Sequence, residues 1–217
     1  VIARATVRVL RDSTRTDEIL RVEELLCQSK LTGYLRTMAD RPEMQRMLRE
    51  RPAITPETVD FDQLRALPAD TLGGAYVRHL DRNQLLIDPQ IMAPKFIDDP
   101  YIAYLLGRAR QTHDIWHPLL DLGTLGHEEV LVHSFMYGQL GLPSSAMIVF
   151  FGGLKHFVAE RRWSALRHSI YQSYHNGRTA TSLLPVVWEE LWTEPLDELR
   201  RRFGIVLCHS ARSNQVN

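Results

Sequence analysis

A chain of 217 residues with 44% hydrophobic and 24% charged residues is long enough for one sizeable hydrophobic core, and we predict a single domain over residues 1–217. Its 26 basic and 26 acidic side chains cancel to a formal charge of zero, which argues against a nucleic-acid-binding protein. The two cysteines, Cys27 and Cys208, are too few for a disulfide framework or a zinc knuckle, and they favour a reducing compartment.

The pattern is helical along almost the whole chain, because apolar residues recur at helical spacing and no alternating β-branched run competes. The arginine-rich opening predicts an ordinary first helix, with a targeting segment or a membrane-surface helix as the alternative. A helix is predicted at residues 16–26, and Thr55 is expected to cap the next one. Two more follow at residues 70–80 and about 98–120. We therefore predict an all-α, single-domain bundle of several helices.

Residues 130–154 contain no Asp, Glu, Lys or Arg and would be long enough to cross a bilayer. Gly138, Gly141 and Pro143 interrupt this run, so it predicts two short buried helices meeting at a turn. A buried hairpin is one interpretation; the other is that its apolar walls also line a lipid-binding cavity. The candidate ligand contacts on these walls are Phe135, Met147 and Phe150.

The later segments continue the helical pattern. His175-Asn176-Gly177 is predicted to end a helix, and Trp188 and Trp192 are expected to share the buried face of another. Residues 155–167 alternate basic and apolar side chains, which is typical of a helix lying on an anionic membrane surface, although a solvated face is equally compatible.

The chemistry of the chain is concentrated in residues 110–129. On a helix, His113, Asp114 and His117 project from one turn into a common space. A glycine-containing loop follows, so the next helix can bring Glu128 or Glu129 back over the first. Zinc accepts imidazole and carboxylate ligands together, and iron is held by two histidines and a carboxylate with open positions. The sequence therefore predicts a divalent metal site and leaves the metal open.

Three other interpretations of this segment compete. The histidines can simply cap and hydrogen-bond within a helical core. The His113-Asp114 pair resembles that of metal phosphohydrolases, but that class also needs an upstream histidine and a downstream aspartate in appropriate helices, so the pair alone is weak evidence. The HExxH of zinc peptidases is absent, because an aspartate stands at its second position. A nucleophile elbow, a P-loop and a dinucleotide-binding glycine pattern are absent as well.

The HDxxH of His113–His117, followed after eleven residues by Glu129, resembles the HDxxHx11E motif of the coenzyme Q biosynthesis protein four family. The resemblance covers about residues 48–205, with its spacing favouring Glu129 over Glu128 as the acidic ligand. The similar segments are residues 72–83, 96–114, 141–153 and 176–205.

This resemblance implies an all-helical, dimeric protein that is peripheral to a membrane and binds an isoprenoid or quinone-like lipid in an apolar tunnel. The implied activity is oxidative decarboxylation, in which a hydroxyl replaces the carboxyl at carbon one of a polyprenylated aromatic ring. A non-catalytic lipid-binding scaffold for the other quinone-biosynthesis enzymes is one alternative, and another hydrophobic aromatic substrate is the second. The implied metal ligands and catalytic residues are His113, Asp114, His117 and Glu129, with zinc or another divalent metal such as iron as cofactor.

The expected partners are a prenylated quinone precursor or other isoprenoid lipid, a membrane surface, a second copy of the chain and other quinone-biosynthesis enzymes, but no nucleic acid. Tyr76 and Arg108 are further candidate lipid contacts; an exposed helix position is the alternative for Arg108. Because the basic residues are almost all arginine, a bacterial source is predicted. Together with the peripheral membrane location that the resemblance implies, this gives the bacterial cytoplasm at the inner membrane, with the matrix side of the mitochondrial inner membrane as the alternative.

Overall fold

The computed structural model describes residues 13–87, 93–160 and 163–207. The arginine-rich opening, Cys208 and the side chains of most of residues 155–167 lie outside this description. Helices dominate the described part, which contains no strand and only one isolated bridge, between Thr71 and Pro195, so the all-α prediction is confirmed. The helices are α1 (Ser13–Met38), α2 (Pro42–Glu50), α3 (Phe61–Ala66), α4 (Leu72–Asn83), α5 (Pro100–Leu120), α6 (Gly126–Leu140), α7 (Pro143–Glu160), α8 (Trp163–Thr179) and α9 (Leu196–Phe203), with a 3-10 turn at Trp188–Glu190.

Helix α5 is the centre of the bundle, because it contacts α1, α4, α6 and α9. Its side chain Trp116 is fully buried and meets Phe135 of α6 edge to face, with ring centroids 5.7 Å apart. Burying an aromatic side chain of this kind stabilises a fold by about 1.5–3 kcal/mol. Helix α6 packs in turn against α7 and α8. The chemistry-bearing segment of the sequence therefore lies on two helices that pack inside the bundle.

The start of α5 follows its sequence closely. Asp99 caps the helix, since its Oδ1 accepts hydrogen bonds from the backbone N–H groups of Tyr101 and Ile102. Pro100 occupies the first helical position, where no N–H is needed. The helix ends at Asp121, whose φ of 56° is left-handed. The predicted helix at residues 98–120 is confirmed, as is that at 70–80, which begins after Thr71 and extends to Asn83.

The predicted cap at Thr55 is wrong. The Thr58 hydroxyl accepts a hydrogen bond from the Thr55 N–H at 3.0 Å and donates to the Ala53 carbonyl, so this segment forms a turn. Local side-chain bonds of this kind compete with helix formation. The helix starts later, at Phe61, where the Asp60 carboxylate accepts from two backbone N–H groups.

Residues 130–154 form parts of two helices, α6 and α7, that meet at Gly141, so the predicted turn between two helices is confirmed. The prediction that both helices are buried is wrong for α7, because Met147, Phe150 and Phe151 are exposed on it. Gly141 has a φ of 63°, a conformation that favours glycine, and Pro143 begins α7. None of the described helices combines the length and the apolar character that crossing a membrane requires.

Gly138 and Gly177 do not end helices, contrary to the sequence prediction; they lie inside α6 and α8. A Cβ atom on Gly138 would lie 2.4 Å from the Tyr174 carbonyl oxygen, and one on Gly177 would lie 2.2 Å from the Phe135 carbonyl oxygen. The two glycines therefore allow the backbones of α6 and α8 to approach closely.

The shared helical face predicted for Trp188 and Trp192 is also wrong. Trp188 is buried in the 3-10 turn, whereas Trp192 follows that turn and stacks on Tyr76 of α4, with ring centroids 5.6 Å apart and planes within 7°. Two short turns replace the expected continuous helix, so each indole packs against a different part of the bundle.

Gly177→Ala is expected to lower the free energy of unfolding by about 3 kcal/mol, because the new methyl group must push α6 away from α8. Gly33→Ala is the matched control. Gly33 lies inside α1 with nothing within 4 Å of an added Cβ, so alanine is expected to stabilise the protein by about 0.5–1 kcal/mol. Urea unfolding followed by circular dichroism measures both changes; equal effects of the two substitutions would contradict the close-packing role.

Candidate metal centre

Helices α5 and α6 bring three predicted ligands together. The Nε2 atoms of His113 and His117 are 3.2 Å apart. The Oε2 atom of Glu129 lies 3.6 Å from the first and 3.7 Å from the second. Four bonds of about 2.0–2.2 Å to a tetrahedral cation place neighbouring ligand atoms about 3.3–3.6 Å apart. The triangle of these three atoms therefore has the size that a bound divalent cation requires.

The loop between α5 and α6 fixes the orientation of His117. Its Nδ1 lies 3.0 Å from the carbonyl oxygen of Gly123, so the ring donates from Nδ1 and turns the lone pair of Nε2 toward Glu129. The neighbouring Thr124 hydroxyl donates to the Asn83 side chain at 2.7 Å, which ties the loop to the end of α4. This is the backbone-anchored arrangement that metal-binding histidines commonly have.

The two adjacent glutamates, Glu128 and Glu129, make different contacts. Glu129 is buried and faces the histidines of α5. The Oε2 of Glu128 instead accepts a hydrogen bond from the Leu125 N–H at 3.1 Å and so satisfies a free donor at the start of α6. The geometry thus puts Glu129, rather than Glu128, beside His113 and His117.

The structure adds two histidines that the sequence analysis did not include. His79 of α4 comes together with Asp114 and His117, and His133 of α6 comes together with His113 and Glu129; within each group the potential ligand atoms lie within 4.8 Å of one another. His133 follows Glu129 by four positions on α6, a helical spacing that could have indicated it. His79 carries no such signal, because only tertiary packing brings α4 to α5.

Burial keeps most of these imidazoles neutral. It lowers the pKa of His117 and of His133 to about 3, and that of His79 to about 4. Burial alone would raise the pKa of Glu129, but the close approach of His113 and the other nearby histidines holds it at about 2. For His113 burial opposes the charged form, yet the close approach of Glu129 and the nearby Asp114 raise its pKa above the ordinary value. Neutral imidazoles and an ionised carboxylate are the ligating forms.

Asp114 completes the predicted set. Burial raises the pKa of its carboxyl, and the charge of Glu129 acts in the same direction. A cation between these groups would remove this repulsion, since its two positive charges match the two carboxylates. Burial raises the pKa of the Tyr76 hydroxyl far above its ordinary value, and the nearby charge of Asp114 raises it further. The phenol therefore keeps its proton and remains a hydrogen-bond donor.

Arg108 is not the exposed arginine that one interpretation predicted; it is 1% exposed. Its two terminal nitrogens contact the Glu189 carboxylate at 2.7 and 2.8 Å, and one of them also donates to the Val186 carbonyl. The guanidinium thus joins α5 to the segment around the 3-10 turn. It binds groups inside the protein and is not presented at the surface.

An apolar cavity of about 690 Å³ lies between α6, α7 and α8. Phe150 lines it and is 65% exposed, and Met147 is half-exposed on the same helix. Phe135 is instead fully buried in the core against Trp116. Ser134 of α6 lines the cavity and directly follows His133, so the helix that carries Glu129 and His133 also forms one cavity wall. The cavity lining comprises Ser134, Tyr137, Ala146, Val149, Phe150, Leu154, Arg167, Ile170, Tyr171 and Tyr174.

The all-helical bundle and its buried cluster of histidines and carboxylates at ligand spacing together define the class: a helical-bundle protein with a candidate metal centre. The family described as coenzyme Q (ubiquinone) biosynthesis protein Coq4 matches residues 1–209. The chain belongs to this family, in agreement with the motif-based resemblance.

Individual relatives extend this finding. The chain is 36% identical over 207 residues to a protein of Drosophila pseudoobscura pseudoobscura, covering 95% of this chain and 77% of the relative. It is 31% identical over 204 residues to one of Coprinopsis cinerea, covering 94% and 69%. Both are named mitochondrial ubiquinone biosynthesis proteins. Among solved structures, a Nostoc punctiforme protein assigned provisionally to ubiquinone biosynthesis is similar with a TM-score of 0.68 and 25% identity, over 93% of this chain and 95% of that one.

Proposed function

We propose that this protein is a metal-dependent enzyme of ubiquinone biosynthesis that oxidatively decarboxylates a polyprenylated aromatic acid. The ring carboxyl leaves as carbon dioxide and a hydroxyl takes its place, with the oxygen atom supplied by an external oxidant. The observation that carries this proposal is the ligand-sized triangle of His113, His117 and Glu129 in a chain of the Coq4 family. Membership of the Coq4 family supports a role in ubiquinone biosynthesis, and the ligand-sized triangle supports metal dependence.

In this proposal His113, Asp114, His117 and Glu129 hold a divalent cation, zinc or iron. When bound, such a cation supplies Lewis acidity and positive charge for a ring carboxylate and a phenolic oxygen. The chain contributes the rest. The Gly123 carbonyl holds the His117 ring in one orientation, the two carboxylates set the local charge, and burial of the cluster excludes water from the reacting ring.

The apolar cavity beside α6 is the proposed site for the polyprenyl tail. Its volume of about 690 Å³ lies within the range of sites for small hydrophobic ligands, and its lining is almost entirely apolar or aromatic. The exposed Met147, Phe150 and Phe151 of α7 extend this apolar surface outward. Such a face suits a protein that takes its substrate from a membrane surface without crossing the membrane.

We infer a location on the matrix side of the mitochondrial inner membrane, because the similar fly and fungal proteins are named as mitochondrial. These relatives give no support to the bacterial cytoplasm, which the arginine bias had favoured. A homodimer and contacts with other quinone-biosynthesis enzymes are further parts of this proposal, as the family resemblance implies.

Asp114→Asn tests the catalytic proposal in cells that depend on this protein for quinone. The substitution is nearly isosteric but removes the negative charge that sets the Lewis acidity of the cation. Quinone is expected to fall at least about 10-fold, with accumulation of the prenylated ring acid that still bears its carboxyl. Mass spectrometry of extracted lipids measures both compounds.

Glu128→Gln is the control for this experiment, because Glu128 is an acid of the same segment that caps α6 outside the cluster. Normal quinone production is expected in that variant. If folded Asp114→Asn protein with verified metal loss also sustains normal quinone levels, the catalytic proposal is rejected, and the lipid-binding scaffold becomes the function that fits.

A further inference from the structure

The cluster contains more ligands than one tetrahedral cation uses. Six side chains from α4, α5 and α6 form two triads, His79–Asp114–His117 and His113–Glu129–His133, and each triad brings its potential ligand atoms within 4.8 Å of one another. We propose that the centre binds two divalent cations, one in each triad. This inference rests on the proposed metal dependence; it adds His79 and His133 to the ligands and divides the four proposed ligands between two cations.

The unpartnered Nε2 atom of His79 supports a cation site in its triad. It is buried and has no hydrogen-bond partner, in a residue that is only 7% exposed. A buried polar atom without a partner costs about 1–3 kcal/mol, so such atoms call for an explanation. Coordination of a cation with Asp114 and His117 provides one.

His133 is held in a similar way on the other side. Its Nδ1 lies 3.3 Å from the hydroxyl oxygen of the buried Ser145, at the start of α7. The second ring nitrogen is thereby left for the triad with His113 and Glu129. A hydroxyl partner behind a histidine ring is the kind of support that orients a metal ligand.

The two triads are in direct contact. His113 of one and His117 of the other have Nε2 atoms 3.2 Å apart, and the Glu129 Oε2 is almost equidistant from both, at 3.6 and 3.7 Å. Glu129 is therefore positioned to bridge two cations. Enzymes that use two metal ions hold them about 3.5–4 Å apart, often with a shared carboxylate.

The four rings are arranged in a row that matches this division. His79 stacks on His117 with ring centroids 4.6 Å apart, His117 meets His113 at 4.9 Å, and His113 stacks on His133 at 4.8 Å. Each stacked pair joins two members of one triad, so each triad supplies two imidazoles and one carboxylate of its own.

The net charge of a centre with two cations and two carboxylates then indicates the class of substrate. Two divalent cations carry four positive charges, and Asp114 and Glu129 supply two negative ones. The remaining positive charge in a buried site has to be balanced by an anionic ligand. A ring carboxylate with an adjacent phenolic oxygen meets this requirement better than a neutral quinone does, so aromatic acids are the expected ligands of the two-cation form.

Cobalt binding tests this inference with the metal alone. Full-length protein freed of metal by a chelator is titrated with Co²⁺ and followed by visible absorption and by electron paramagnetic resonance. The expected result is about two equivalents per chain, with weakening of the paramagnetic signal as the second cation couples to the first. His79→Phe and His133→Phe are each expected to bind about one equivalent and to restore the uncoupled signal.

His168→Phe is the matched control, because His168 is an exposed histidine of α8, and it is expected to retain both equivalents. Circular dichroism verifies the fold of every variant, and His79→Asn replaces His79→Phe if the larger ring disrupts packing. If the wild-type protein binds only one equivalent of Co²⁺, with an uncoupled paramagnetic signal, the proposal of a second cation is rejected and the proposed function is unaffected. No bound metal at all would reject both.

Discussion

Replacing His117 by alanine is expected to weaken divalent-metal binding by about 100-fold or more while leaving the protein helical. His117 is fully buried, its Nδ1 is anchored to the Gly123 carbonyl, and its Nε2 lies against both His113 and Glu129. A ligand that is oriented before binding contributes more affinity than a mobile surface side chain, because little conformational entropy is lost on coordination. The helix itself loses nothing, since alanine is the best helix former.

Competition titration with a zinc-sensitive dye measures this change, and circular dichroism verifies the helix content. His168→Ala serves as the control, because it removes an exposed imidazole of α8 and is expected to leave zinc affinity unchanged. Equal zinc affinity of wild-type and His117→Ala protein would show that the α5 histidines are structural and hold no cation.

Glu189→Ala is expected to lower the free energy of unfolding by about 3–5 kcal/mol, because it leaves the buried Arg108 guanidinium without its carboxylate. The side chain of Arg108 has no exposed surface, and both of its terminal nitrogens contact Glu189. Bulk water therefore does not replace the lost partner. Chemical denaturation of purified protein measures the change.

The neighbouring residue supplies the control. Glu190 pairs with Arg46 at the surface, where solvent screens both charges, so Glu190→Ala is expected to leave the unfolding midpoint almost unchanged. The comparison separates a buried charge pair from an exposed one at adjacent positions. A midpoint for Glu189→Ala as high as that for Glu190→Ala would contradict the structural role of Arg108.

Local sequence determined much of this protein. Apolar periodicity predicted the helices, and Gly141 marked the turn between α6 and α7. His113, Asp114 and His117 could be predicted as a group because one helical turn places them together. These features depend on contacts between residues that are near in sequence, so the local residue pattern is enough to predict them.

Tertiary structure decided the features that depend on which helices meet. Gly138 and Gly177 look like helix ends in the sequence, yet they permit close packing of α6 on α8. Arg108 looks like a surface residue, but Glu189, distant in sequence, makes its burial possible. His79 reaches the cluster only because α4 packs on α5. Their roles come from partners far along the chain, and local propensity and spacing carry no information about such partners.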